Sequence, residues 1–321
     1  MLLVEERKDT LEPKPASHRI SVKNVLFATD FSATSRAALP YATAICRHFG
    51  STLHTAHVIS EAGLLMMTGG VDYVSMGTIY EDAHTEAKLK IEQLTARFED
   101  IPHRTHVRHG QVWNNLAGII EENQIDLIVV GTHGRTGLGK LLLGSVAEDI
   151  LRHAPCPVLT VGPRVTGRAR LPELERKGRD LAPIELEVRQ IIYSTNFTRE
   201  SLQVAPLALR LAEEFQANLT LMSVIEDYTQ LGTRPGPIEE GFQRLKDLVP
   251  ANSALPYVPE TVMEFGAAPA SILKVAAERE ADLLVLGMRP AEALPASTHL
   301  PWSTVHQVIA HAECPVLTVR K

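Results

Sequence analysis

Two tandem doubly wound α/β domains are what this 321-residue sequence predicts, on three observations. The chain repeats itself. Each copy alternates short β-branched runs with stretches of helical period, and the first copy carries a glycine-rich loop between a buried strand and a helix. The repeat organises the rest. KNVLFATDFSATSRAAL from Lys23 matches RQIIYSTNFTRESLQVA from Arg189, so that Asp30 corresponds to Asn196. HGQVWNNLAGIIEENQIDLIVVG, ending at Gly131, matches FGAAPASILKVAAEREADLLVLG, ending at Gly287, and APCPVLTV from Ala154 matches AECPVLTV from Ala312. Three colinear matches place a first domain at 18–162, a linker rich in Gly, Pro and charge at 163–187, and a second domain at 188–321; residues 1–17 read as a flexible tail.

Within the first copy, Val22–Thr29 is apolar and β-branched, as a strand buried on both faces requires. Ser32 has the chemistry of an N-cap, and Ala37, Ala38, Tyr41, Ala42 and Ile45 recur at helical spacing until Gly50. Thr52–Ile59 reads as the second strand, 79–98 as a helix, 105–108 as extended and 112–123 as a helix. A buried strand at 125–130, a helix at 144–153 and a last strand at 157–161 follow. Strands alternating with helices imply parallel pairing through right-handed crossovers.

Composition narrows the function. The net charge is -6 and 5% of residues are aromatic, so the chain lacks both the cationic excess and the stacking platforms of a nucleic-acid binder. No apolar run approaches bilayer length and no signal-peptide core follows Met1, so neither membrane nor secretion is expected and the location is read as cytoplasmic. Three cysteines without a CxxC pair fit a reducing compartment.

The chemistry concentrates in GTHGRTGLGKLLLGSVAEDI. Gly131, Gly134 and Gly144-Ser145 give G-x2-G-x9-G-S between strand and helix. Such glycines let backbone N–H groups approach phosphate oxygens, and the helix start adds its positive end. Arg135 and Lys140 supply charge, and His133 is a candidate phosphate or ribose contact. A ligand crevice in such a sheet lies at the carboxyl ends of the first and fourth strands, which places Asp30 opposite the glycine loop. A P-loop reading of GRTGLGKL fails because Leu141 stands where a metal-binding hydroxyl is needed.

These motifs, with the CPVLTV strands, resemble the universal stress protein family in its tandem form, with an ATP-binding type of first domain. The resemblance implies five-stranded sheets in the order 3-2-1-4-5 and an adenine nucleotide in the first domain: ATP, with Mg2+ an optional companion. It implies that Asp30 and the backbone near Val58 hold the nucleoside beside Ala28 and Thr29. Val130, Gly131 and Thr132 would line the pocket, and Gly134, Gly144, Ser145 and Val146 would surround the phosphates. The second copy departs from this pattern: Asn196, Pro290 and Trp302 replace Asp30, Gly134 and Gly144, so its site is read as degenerate. The function expected is a nucleotide-dependent regulatory or stress-response module. A slow ATPase or phosphotransferase in the same cleft is the alternative, and it lacks a visible catalytic set.

Three further groups were weighed. His54 with His57, and His103, His106 and His109, read as solvated or hydrogen-bonded imidazoles, because strand residues three apart point to opposite faces. Cys156 and Cys314 read as small buried side chains rather than redox centres. Met66, Met67 and Met76 fall in a segment read as a loop packing over the site, with a lid as the alternative. The apolar last strands are expected to meet antiparallel as an internal pseudo-dimer, which would cover two exposed edges. A further homodimer stays open.

Overall fold

A computed structural model describes residues 20–60, 73–96, 98–132, 143–166, 186–226, 236–289 and 304–320. The chain divides into two compact units. Val22–Val161 lie in one, and Glu187–Lys321 lie in the other together with the stretch that begins at Gly162.

In the first unit the elements run β1 (Asn24–Ala28), α1 (Ala33–Phe49), β2 (Thr52–Ile59), α2 (Tyr73–Thr95), β3 (His103–His109), α3 (Val112–Glu122), β4 (Leu127–Gly131), α4 (Ser145–His153) and β5 (Val158–Val161). All pairings are parallel and the strand order is β3-β2-β1-β4-β5. The centre of this sheet is apolar because helices cover both faces. Val25, Leu26 and Phe27 in β1, and Ile128 and Val129 in β4, are fully buried. Each such side chain contributes about 1.5–3 kcal/mol of burial. The outer strand β3 reads HRTHVRH and is largely exposed, and its charges discourage pairing with another sheet.

Short polar devices fix where the elements begin and end. Ser32 accepts the Ser35 N–H at 3.1 Å as the cap of α1, and Gly50 closes that helix at φ 67°. Asp126 anchors the start of β1 by accepting the N–H groups of Lys23 and Asn24 at 2.8 and 2.9 Å. The helix expected from 79 begins at Tyr73, six residues earlier, over a Gly-containing stretch that has little apolar period to count. Met76 falls in α2, while Met66 and Met67 lie outside the described residues.

The second unit repeats the plan. Its elements are β6 (Gln190–Ser194), α5 (Arg199–Leu202), α6 (Ala205–Phe215), β7 (Asn218–Ile225), α7 (Gly236–Lys246), β8 (Glu260–Phe265), α8 (Ala268–Glu278), β9 (Leu283–Met288), α9 (Thr304–His311) and β10 (Val316–Arg320). The strands are parallel in the order β8-β7-β6-β9-β10. Asp282 repeats the anchor of Asp126, accepting the Arg189 and Gln190 N–H groups at 2.8 and 3.0 Å. The counterpart of α1 is split into α5 and α6, with proline in the first turn of α6. The Thr166 N–H donates to the Glu313 carbonyl at 2.9 Å, so the chain just past Gly162 is part of this unit.

Among the described residues no helix is long and apolar enough to cross a membrane, and no group of three or more His, Cys, Asp and Glu is placed to hold a metal ion.

Candidate functional site

The carboxyl ends of β1 and β4 lie side by side, since Ala28 stands in register with Val130. This is where the order of strands reverses, and ligand crevices of doubly wound sheets form there. Ala28 and Thr29 are buried as β1 gives way to a turn, and the Thr29 N–H still reaches the Ala56 carbonyl of β2 at 2.9 Å. The next residue is Asp30. Its Oδ1 accepts the Ser32 N–H at 2.9 Å, a local turn that orients the carboxylate at the mouth of the sheet.

This turn is held more firmly than its sequence shows. Phe31 adopts φ 63°, a left-handed conformation that costs a non-glycine residue roughly 1–2 kcal/mol. What offsets the cost is a ring of contacts. The Phe31 N–H donates to Thr29 Oγ1 at 3.0 Å, and that hydroxyl also meets Ser35 Oγ at 3.0 Å. His57, from β2, donates from Nδ1 to the Thr29 carbonyl at 2.8 Å and lies against the Phe31 ring at 4.4 Å. The Lys90 ammonium stands over the Phe31 ring, 5.6 Å from its centroid. Sequence reasoning missed Phe31 and Ser35; His57 is a hydrogen-bonded imidazole, as it was read, and its place at this turn was not foreseen. The recurrence of Thr-x-Phe in the second copy was the available signal.

On the β4 side, Val130, Gly131 and Thr132 are all buried. An added Cβ at Gly131 would press against the Thr34 carbonyl oxygen and lie 2.8 Å from its carbon, so this glycine is required by the approach of α1 to the sheet. The Thr132 N–H donates to the Val161 carbonyl at 3.2 Å. Its own carbonyl accepts the Gly144 N–H at 2.7 Å. That second bond seats the start of α4 on the end of β4. Gly144 is the N-cap at φ -65° and ψ 146°, and having no side chain it offers no acceptor to the first-turn N–H groups that begin at Ser145 and Val146. Glu148 in that first turn is paired with Arg152 at 2.8 Å. Val58 lies near the end of β2, opposite Arg108 of β3. His133, Gly134, Arg135 and Lys140 lie outside the described residues.

The structure therefore brings Ala28, Thr29, Asp30, Val130, Gly131, Thr132 and the start of α4 to one end of the sheet. An aimed carboxylate and a helix N-terminus at one crevice suit a polar ligand carrying negative charge at one end and hydrogen-bond donors at the other. The cysteines take no part: burial pushes the thiols of Cys46, Cys156 and Cys314 up to about 12, which suppresses the thiolate.

The same turn in the second unit keeps its shape with altered chemistry. Asn196 Oδ1 accepts the Thr198 N–H at 3.2 Å and the Thr198 hydroxyl at 2.9 Å, and Phe197 adopts φ 59°. Gly287 repeats the packing role of Gly131, with an added Cβ 2.7 Å from Ser201 Cα. Arg244 covers the Phe197 ring at 3.9 Å. Pro290, Trp302 and Ser303 lie outside the described residues.

Comparison with known proteins gives a consistent result. The model of the Universal stress protein family matches residues 21–162 and again 187–320. Universal stress protein A homolog 1 of Coxiella burnetii is 34% identical over 140 residues, covering 43% of this chain and 95% of that protein. A universal stress protein of Methanocaldococcus jannaschii is 29% identical over 139 residues, covering 43% and 81%. The crystal structure of a universal stress protein from Archaeoglobus fulgidus is similar to this chain with a TM-score of 0.67, over 92% of this chain and 98% of that one. At 17% identity this is a likeness of fold.

Proposed function

Because the chain belongs to the universal stress protein family, we propose that its first domain is a nucleotide-dependent regulatory module that binds one adenine nucleotide, ATP in the first instance, at the carboxyl ends of β1 and β4. The observation that carries this reading is the 2.7 Å bond from the Gly144 N–H to the Thr132 carbonyl, which seats the start of α4 beside the turn that aims Asp30. In this proposal Asp30 and the backbone near Val58 hold the nucleoside, and the first-turn N–H groups of α4 take phosphate. His133, Gly134, Arg135 and Lys140 complete the phosphate contacts from the loop. The second domain binds no nucleotide, since Asn196 keeps the turn and loses the charge.

Calorimetric titration of the whole chain with ATP, with and without Mg2+, tests the reading. One site per chain is expected. Asp30→Asn copies the second domain's own residue and its turn, so it removes charge without removing structure. Loss of one charged hydrogen bond is worth about 1.5 kcal/mol, and the variant should bind roughly tenfold more weakly. Two sites per chain, or no binding at all, would refute the assignment.

A further inference from the structure

Away from this cleft, the first sheet sets a buried imidazole of β2, His54, against a half-buried one of β3, His106. His54 is 1% exposed. Its Nε2 meets Asn24 Oδ1 at 3.2 Å, and its Nδ1 meets His106 Nε2 at 3.1 Å. The Asn24 amide nitrogen donates to the Gln124 carbonyl at 3.4 Å, which keeps its oxygen turned to His54. An amide oxygen only accepts, so His54 carries its proton on Nε2 and accepts at Nδ1, and His106 must donate from Nε2. The rings stack at 5.3 Å with 9° between their planes. A single proton, taken at His106 Nδ1, leaves both bonds in place; with both rings charged, a proton on His54 Nδ1 points at the His106 N–H and the contact is lost.

The surroundings oppose charge on the pair. On β3, Arg104 acts against protonation of both rings and Arg108 against that of His106. On α3, Glu122 favours a charged His106 but is ion-paired with Arg108. On β1 the facing group is the neutral Asn24 amide. Burial is the largest cause that brings His54 down to about 4, with His106 and Arg104 adding to it, and burial likewise lowers His106.

We propose that the His54–His106 pair is an acid-operated release built into the first domain alone: charging both rings sets N–H against N–H, breaks their hydrogen bond and loosens β2 and β3 from β1. The second domain has no imidazole at this place. There the Gln190 amide donates to Thr220 at 2.9 Å, Thr220 donates to Glu260 at 3.1 Å, and Arg279 holds the Glu260 carboxylate at 2.6 and 3.0 Å. A histidine that resists protonation in the fold contributes stability that is present above its ordinary value of 6.5. That stability is lost as pH falls from there toward about 4. Glu260 is lowered chiefly by the Arg279 hydrogen bonds, so its contribution persists until pH falls below the ordinary carboxylate value of 4.5. Between those limits the first domain responds and this network of the second does not. One imidazole raises the opening constant roughly 15-fold from pH 6.5 to 5.0.

The test uses the whole chain. Residue-level amide exchange at pH 7.5 and 5.0, corrected for intrinsic rates, is combined with NMR titration of the His54 and His106 ring carbons. The expected result is at least a tenfold loss of protection in β1, β2 and β3 at pH 5.0 with β6, β7 and β8 unchanged, and both rings titrating below 6.5. His54→Gln keeps a donor and an acceptor without a titrating group, and it should abolish the acid response. A variant that still responds overturns the proposal. If the variant does not fold, the native chain decides: a ring of His54 titrating near 6.5, or full protection of β1–β3 at pH 5.0, overturns it equally.

Discussion

The two domains share a backbone plan and differ in what they bury at matching places. At the mouth of each sheet an Asx turn precedes a left-handed phenylalanine, Phe31 or Phe197, yet the turn residue is charged in the first domain and neutral in the second. Deeper in, β2 and β3 carry a histidine pair where the second domain runs a chain from Gln190 of β6 through Thr220 and Glu260 to Arg279. At the edge strands even the sign is exchanged: Arg108 pairs with Glu122 in the first domain, whereas Glu264 pairs with Lys274 at 3.0 Å in the second. The fold is indifferent to these changes because each alternative satisfies its own buried polar atoms. The charge at this turn does change, from the Asp30 carboxylate to the Asn196 amide. The lesson is that residues shared by both domains report on folding, and residues peculiar to one report on a ligand or a regulator.

Gly131 and Gly287 give that rule its hardest trial. Both are shared, and both face backbone of the helix that follows their domain's first strand, Thr34 in α1 and Ser201 in α5. Gly131→Ala and Gly287→Ala should each destabilise their own domain by roughly 3 kcal/mol, because backbone cannot rotate away as a side chain can. Gly131 should suffer more, its neighbour being a carbonyl group at closer range. Chemical denaturation of the two variants measures both. If Gly131→Ala left stability untouched and changed only nucleotide affinity, packing against α1 would not be what requires the glycine.

That outcome bears on how much could be read from the sequence. The central strands were legible because strands buried on both faces are continuous apolar runs, as in VLFA and LIVVG. The edge strand HRTHVRH was read short, at 105–108 instead of His103–His109, because a polar edge has no apolar period to count. The start of α2 was missed by six residues for a similar reason. The Asp126 and Asp282 anchors were visible as a repeated Asp just before a strand, and only the structure shows that they bind the neighbouring strand's N–H groups. The His54–His106 contact was not legible at all. It depends on the register of β2 against β3, which places His54 beside Arg104 and leaves His106 on the diagonal. Gly131 was read as the first glycine of a phosphate loop; its packing against Thr34, repeated by Gly287 against Ser201 in a copy without the rest of that motif, was not read.

A second trial of the comparison exchanges the two helix ends. The helix that follows the first strand closes on Gly50 at φ 67° in one domain and on Gln216 at φ 50° in the other. A left-handed non-glycine residue costs about 1 kcal/mol. Gln216→Gly should therefore stabilise the second domain by about that amount, and Gly50→Gln should destabilise the first equally; there is open space for a side chain at Gly50, so strain is the only term. Thermal melts of both variants check the pair. Unequal magnitudes would show that neighbouring packing, and not the shared turn, sets stability at these ends.

The smallest effect expected is also the most discriminating. Gly144 caps α4 at φ -65°, a conformation open to every residue, so no backbone requirement explains a glycine there. Serine at this position would supply the side-chain acceptor that the cap lacks, and Gly144→Ser should raise stability by a few tenths of a kcal/mol. A glycine that weakens its own helix cap is accounted for if the space above the first turn is kept for a ligand. The serine variant should then be slightly more stable and bind ATP less tightly, because its hydroxyl competes with phosphate for the same N–H groups. Denaturation and calorimetry on one sample measure both signs. Gains in stability and affinity together would mean that the glycine is incidental, and the phosphate end of the proposed site would have to lie elsewhere on the loop.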